Sequence, residues 1–273
     1  REACLKRGVD SSVWLAWGQL EERENNPGEY ERENTARWIY REACLKRGVD
    51  SSVWLAWGQL EERENNIGEC EKENTARWIY RQACMNHDEK ASVWFAWGRL
   101  EEQQNNMGEY DQENTARWIL HEGIKRFPND GSLYSLYSNL ELIHHSPERA
   151  RDILRKYVLY NNRAINNLAI LEYYNGNIDS DNEYCTVKLV KKMEAAQEKT
   201  LGSILYLYYC SLLLGRKEEA KHYYRQIQQH PDYDSIDNTW IKEYICLCKK
   251  AVIGESDTTE IPEIFNKKDH HIY

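Results

Sequence analysis

Between residues 51 and 63 the chain reads Ser-Ser-Val-Trp-Leu-Ala-Trp-Gly-Gln-Leu-Glu-Glu-Arg, and Trp54, Trp57 and Glu61 fall three and four apart, on one stripe of an α-helix. Asp50 or Ser51 stands where an N-cap is needed. A second periodic stretch, residues 74–84, places Ala76, Ile79, Tyr80 and Ala83 on one stripe of a second helix. With a polar run from Asn65 to Glu73 between them, the two stretches predict a helical hairpin.

The hairpin repeats. Residues 1–40 and 41–80 differ only at Pro27/Ile67, Tyr30/Cys70 and Arg32/Lys72, and residues 81–120 keep 23 of 40 identities with 41–80. In the next copy Tyr134, Tyr137 and Glu141 continue the period. Ala150-Arg151 then arrives six residues sooner than Ala116-Arg117 predicts, so this unit has 34 residues and the 40-residue units carry six extra between their helices. Glu172…Ile178 and Thr186-Val-Lys188 align with Glu61…Ile67 and Thr75-Ala-Arg77 at an offset of 111, which predicts a fifth, long unit with Lys188 in place of Arg. Leu201–Leu213 and Gly215–Lys221, closed by His230-Pro231, predict a sixth hairpin with Ser211 where Glu stood. Asn238–Lys250 reads as one further helix.

Small residues at Gly58, Ala76 and Ala83, an aromatic at Tyr80 and Pro128 after the third unit make the hairpin similar to a tetratricopeptide repeat. The details resemble its cousin, the half-a-TPR or HAT repeat, which carries two aromatics and a Glu in its first helix and Ala-Arg opening its second. The matching core residues are Trp14, Trp17, Glu21 and Arg37; Trp54, Trp57, Glu61 and Arg77; Trp94, Trp97, Glu101 and Arg117; and Tyr134, Tyr137, Glu141 and Arg151. The resemblance implies an all-α fold, a right-handed solenoid of stacked antiparallel hairpins. HAT-like repeats would fill residues 1–160 and diverged hairpins 161–231. A capping helix at 232–253 and a tail at 254–273 would follow. Indole rings would fill the gaps between helices, and each Glu–Arg pair is expected to be an ion pair within its own hairpin that fixes its register.

Composition narrows the chemistry. Thirty-six Lys and Arg against 45 Asp and Glu give a net charge of −9, of which residues 1–120 hold −7. Nine of ten tryptophans are three repeat positions copied three times, so core packing is favoured over base stacking, and the acidity disfavours a phosphate backbone. Eight cysteines include Cys4, Cys44 and Cys84 at one core position, and Cys246-x-Cys248 has no second ligand pair nearby. His144-His145 falls in a predicted turn. No nucleotide-binding, hydrolase or metalloprotease motif occurs, so no catalytic residue, metal or cofactor is expected. No apolar run of the length needed to span a membrane occurs. The expected compartment is the reducing cytoplasm.

What is left for binding is the exposed side of each first helix. Leu15, Gln19 and Arg23, with Leu55, Gln59 and Arg63 and with Phe95, Arg99 and Gln103, recur at four-residue spacing and are expected to line a concave groove. The Asn pairs 25–26, 65–66 and 105–106 would form a second ladder at the hairpin tips. A periodic groove suits a protein or peptide partner, and the chain reads as a scaffold or docking arm. The resemblance supports an alternative, since HAT repeats occur mostly in RNA-processing assemblies, so an RNA-binding or RNA-processing factor is the second expectation. Arg1–Asp10 repeats verbatim as Arg41–Asp50, so the sequence starts within a repeat and is expected to be a piece of a longer protein.

Overall fold

The structure, a computed structural model of the 273-residue chain, describes residues 10–45, 49–86, 90–158, 162–196, 199–233 and 239–254. The repeat copy at 1–9, with Cys4, and the expected tail beyond Gly254 lie outside them. The described residues form thirteen α-helices and the fold is all-α. Contacts divide the chain into two compact units at Phe127/Pro128.

In the first unit α1 (Ser11–Arg23) pairs with α2 (Ala36–Leu45), α3 (Ser51–Arg63) with α4 (Ala76–Asn86), and α5 (Ala91–Gln103) with α6 (Ala116–Arg126). In the second, α7 (Gly131–Ile143) pairs with α8 (Pro147–Tyr157), α9 (Asn162–Tyr174) with α10 (Thr186–Glu194), and α11 (Leu201–Leu213) with α12 (Lys217–Gln229). First helices neighbour one another, α1 on α3 on α5 and α7 on α9 on α11, while second helices pack forward onto the next first helix. The final helix, α13 (Thr239–Ile253), packs on α9, α7 and α8. It therefore lies against first helices and turns back from the end of the stack.

Local chemistry starts and stops these helices. Asp50 caps α3 by accepting the Ser52 backbone N–H at 2.6 Å, and Asp10 and Asp130 do the same for α1 and α7. Lys90 occupies this position before α5 and instead donates to Asp50 at 2.8 Å, joining two hairpins. Every first helix ends in one turn, in which the N–H five residues after the Glu position bonds its carbonyl: Asn66 to Glu61, Ser146 to Glu141, Asn177 to Glu172 and Arg216 to Ser211.

The tryptophans are core. Trp14, Trp57, Trp94 and Trp97 are fully buried, and the half-buried Trp78 and Trp118 meet Trp57 and Trp97 edge-on with ring centroids 6.2 Å apart. Gly58 is required by close approach, because the Tyr80 ring lies where its Cβ would be. Gly58→Ala is therefore expected to lower stability by about 1–3 kcal/mol, the usual range for overpacking. A urea midpoint unchanged from the parent chain would contradict it.

Candidate interaction surface

The element that sets the surface is a buried carboxylate on the first helices α3, α5, α7 and α9. Glu61 on α3 has no exposed area, and its oxygens accept from Arg37 Nε at 2.9 Å, Arg37 Nη2 at 3.1 Å, Asn66 Nδ2 at 2.8 Å and the Tyr30 hydroxyl at 2.6 Å. Glu101 on α5 accepts from Arg77 Nε at 2.8 Å, Arg77 Nη2 at 3.0 Å, Asn106 Nδ2 at 2.8 Å and the Trp97 indole N–H at 3.2 Å. Glu172 on α9 accepts from Arg151 Nε at 3.1 Å and Nη2 at 2.9 Å, from Arg155 Nη2 at 2.8 Å and from Asn177 at 2.8 Å.

Here the structure corrects the sequence reading. Glu61 and Arg77, expected to pair within one hairpin, do not: Glu61 takes the arginine of the hairpin before, and Arg77 reaches forward to Glu101. The side of the glutamate that faces its own hairpin is already filled by its own loop, through Asn66. Arg37 and Arg77, in the first turns of α2 and α4, face the next first helix. Burial works against the Arg37 charge and Glu61 more than offsets it, while Arg77 is raised chiefly by its hydrogen bonds to Glu101; both guanidinium groups are held charged above their ordinary value.

The long inter-helix insert serves this clasp. The Nη1 atoms of Arg37, Arg77 and Arg117 also donate, to the carbonyls of Gly28, Gly68 and Gly108 in their own inserts, at 2.8 to 2.9 Å. Those glycines have φ near +60°, with the following Thr packed against them. Ala76 N–H to the Asn66 carbonyl and Arg77 N–H to the Ile67 carbonyl close the base of the insert. Asn26, Asn66 and Asn106 were expected to face a ligand. Their amides instead bridge Glu21, Glu61 and Glu101 to the carbonyls of Asn34, Asn74 and Asn114. Nothing in residue type alone separates a displayed asparagine from a bracing one; the eight-residue spacing to a left-handed Asn was the available signal.

The fifth unit is also in a different register. Thr186 N–H bonds the Asn177 carbonyl and Val187 N–H the Ile178 carbonyl, as Ala76 and Arg77 do to Asn66 and Ile67. Thr186 thus stands at the Ala position and Val187, not Lys188, at the Arg position. A one-residue shorter insert shifts the offset from 111 to 110 beyond Ile178.

The expected groove residues lie on neighbouring first helices of the first unit. Leu15, Leu55, Gln59 and Phe95 are half-buried there, and Gln19, Arg23, Arg63 and Gln103 are exposed. Two of them are tied down: Arg63 pairs with Glu22, and Arg99 with Glu62 at 3.6 Å. Glu22 and Glu62 also accept from the Tyr40 and Tyr80 hydroxyls of their own hairpins, so each of these two glutamates ties its hairpin to the next across this face. Arg117 bonds Gly108 and Glu109, and Glu141 is buried on α7. Among the described residues no group of three His, Cys, Asp or Glu is placed to hold a metal ion, and no helix is long and apolar enough to cross a membrane. No known family model matches the chain, and no curated protein matches it either.

Three stability measurements follow from these inter-hairpin bonds. Glu101→Ala leaves the Arg77 guanidinium, the Asn106 amide and the Trp97 N–H without their shared acceptor, and is expected to cost about 3–5 kcal/mol by urea unfolding. Lys90→Ala, which removes a half-exposed pair with Asp50, is expected to cost less than about 1 kcal/mol at neutral pH. Lys90, then the Ser52 N–H, hold the Asp50 carboxyl below its ordinary value. The stabilisation is therefore present above the unfolded value of about 3.9 and lost as pH falls through the lower folded one, so parent and Lys90→Ala should converge in acid. Tyr30→Phe removes a hydroxyl lying 2.6 Å from Glu61 and is expected to cost about 1–2 kcal/mol; an unchanged urea midpoint would contradict it.

Proposed function

We propose that this chain is a protein-interaction scaffold, a HAT-like or tetratricopeptide-like array that binds a partner protein across the row of first helices. The observation that supports this reading is the position of α13. It packs on α7 and α9, the same row of elements that α1, α3 and α5 form in the first unit. Ile241, Tyr244, Ile245 and Cys248 of α13 are buried, and the Tyr244 hydroxyl donates to the Asn167 carbonyl of α9 at 3.0 Å. With Glu172 aligned on Glu61, Asn166 and Ile170 of α9 hold the positions of Leu55 and Gln59. They are 5% and 0% exposed, whereas Leu55 and Gln59 are half-buried.

The face that accepts a helix of its own chain in the second unit is therefore chemically suited to accept another helix in the first. Its apolar part is Leu55 and Phe95, and its polar part is the ladder of Arg63–Glu22 and Arg99–Glu62. Acidic balance across residues 1–120 favours a polypeptide over a phosphate backbone.

A photo-cross-linking residue at position 55 or 95 is expected to give discrete adducts that ribonuclease leaves intact and protease removes. The same residue at the exposed Asp152 of α8 should give none. Ribonuclease-sensitive adducts, or saturable binding of a uridine 20-mer that weakens steeply with salt, would replace this reading with the RNA-binding one.

A further inference from the structure

The last hairpin carries the forward half of the hairpin-to-hairpin clasp, and the described helix that follows it goes elsewhere. In the fourth hairpin Arg151 and Arg155 of α8 grip Glu172 on α9, and Arg151 is steadied from behind by Glu148 at 2.7 Å, three residues earlier on its own helix. Ala150 N–H bonds the Ser146 carbonyl there, and Ala220 N–H bonds the Arg216 carbonyl in the sixth hairpin. That alignment puts Glu218, Lys221 and Arg225 of α12 on the positions of Glu148, Arg151 and Arg155. The parallel extends to contacts, since Lys221 meets Glu218 at 2.7 Å just as Arg151 meets Glu148.

Where α9 would lie against α8, the α11–α12 hairpin has a cleft of about 600 Å³. Its apolar floor is Tyr208, Leu212, Ala220 and Tyr224, and Lys221 and Arg225 stand along its edge. Leu212 and Tyr224 are 40% and 38% exposed, high for large apolar side chains in a packed hairpin. The cause is local. Tyr208 holds the position of Gly58, so the Tyr224 ring cannot lie in as the Tyr80 ring does; the two rings sit 5.7 Å apart and both line the cleft. The next helix, α13, packs on α9, α7 and α8.

We propose that the outer face of the α11–α12 hairpin is a docking site for an α-helix of a partner protein that presents a glutamate to Lys221 and Arg225 and apolar side chains to Tyr208, Leu212 and Tyr224. The interface continues the one already built between α8 and α9, with a lysine for one of its two arginines, so the incoming carboxylate meets two cations as Glu172 does. This surface is separate from the first-helix face and stands or falls independently of it.

The probe is a fluorescein-labelled, helix-stabilised peptide of residues 162–177, the element that docks on the corresponding face of α8, titrated into the full chain by fluorescence anisotropy. Saturable binding is expected, at least tenfold weaker for the Glu172→Gln peptide. It should also weaken at least tenfold for a chain with Lys221→Ala and Arg225→Ala, and for Leu212→Asp. These substitutions are at exposed positions, and unchanged thermal unfolding shows that each variant folds. Leu55→Ala with Phe95→Ala should leave binding unaltered. Absence of binding, equal binding of the Glu172→Gln peptide, or equal binding by the Leu212→Asp chain would overturn the proposal. So would a uridine oligomer that binds this cleft while the peptide does not.

Discussion

A buried carboxylate gripped by an arginine from the hairpin before, as at Glu61, Glu101 and Glu172, is the constraint on which the rest of this array depends. A lone carboxylate with no exposed area is expensive to hold in its charged form, and a lone guanidinium beside it is little better. Together they satisfy each other in a two-point fork, and the glutamate's remaining lone pairs go to the Asn of its own turn and to a Trp or Tyr donor. Because the partners come from different hairpins, the bond sets the stacking of neighbours. Apolar packing of the tryptophans is less demanding in direction. The clasp supplies the registry that apolar contact alone would leave loose.

The six-residue insert is explained by the same constraint. Arg77 must be held at a fixed angle to reach Glu101, and its Nη1 is tied to the Gly68 carbonyl at the apex of the insert while Nε and Nη2 face forward. Left-handed Asn65, Gly68 and Asn74 shape the insert around that carbonyl, and Thr75 seals it by donating to the Lys72 carbonyl at 2.7 Å. In the 34-residue fourth unit the insert is gone, and Glu148 at the start of α8 holds Arg151 in its place. Two solutions serve one need, and the short one relies on an exposed side chain instead of a buried backbone carbonyl.

Much of this was legible from periodicity. Stripes at three and four residues placed both helices of each hairpin, and the copied Trp positions marked the core, because a packed helix pair has few other ways to use an indole. The partner of the glutamate was not legible. A separation of 16 residues within a unit and one of 24 to the unit before both bring a Glu and an Arg to adjacent helices, and only the side from which the arginine approaches decides between them. The fifth-unit register failed for a similar reason: Thr186 matches Thr75 by type, yet it is buried at the Ala76 position, where its hydroxyl donates to the Ala169 carbonyl at 3.2 Å. The destination of α13 was equally hidden, since an apolar stripe says that a helix is covered without saying by what.

The clasp is given up at one place, and its loss is concerted. Between the fifth and sixth hairpins Val187 replaces the arginine and Ser211 the glutamate, so neither charge is left buried alone. Other polar bonds then join first helices directly. The Tyr206 hydroxyl donates to Asn167 Oδ1 at 2.5 Å, and the Tyr174 and Tyr209 hydroxyls meet at 2.6 Å. These lie on the α9–α11 seam next to α13, whose Tyr244 bonds the backbone of the same Asn167. Neutral hydroxyl bonds thus do on the α9–α11 seam what the charged fork does between α8 and α9, and α13, which packs on α9, α7 and α8, adds its own hydroxyl to the same asparagine. In the first unit, where the charged clasp joins successive hairpins, polar pairs also run across the face between neighbouring first helices. The clasp is present both beneath the face that α13 covers and in the first unit, so what differs between the two faces is the outer stripe, Asn166 and Ile170 buried against half-buried Leu55 and Gln59.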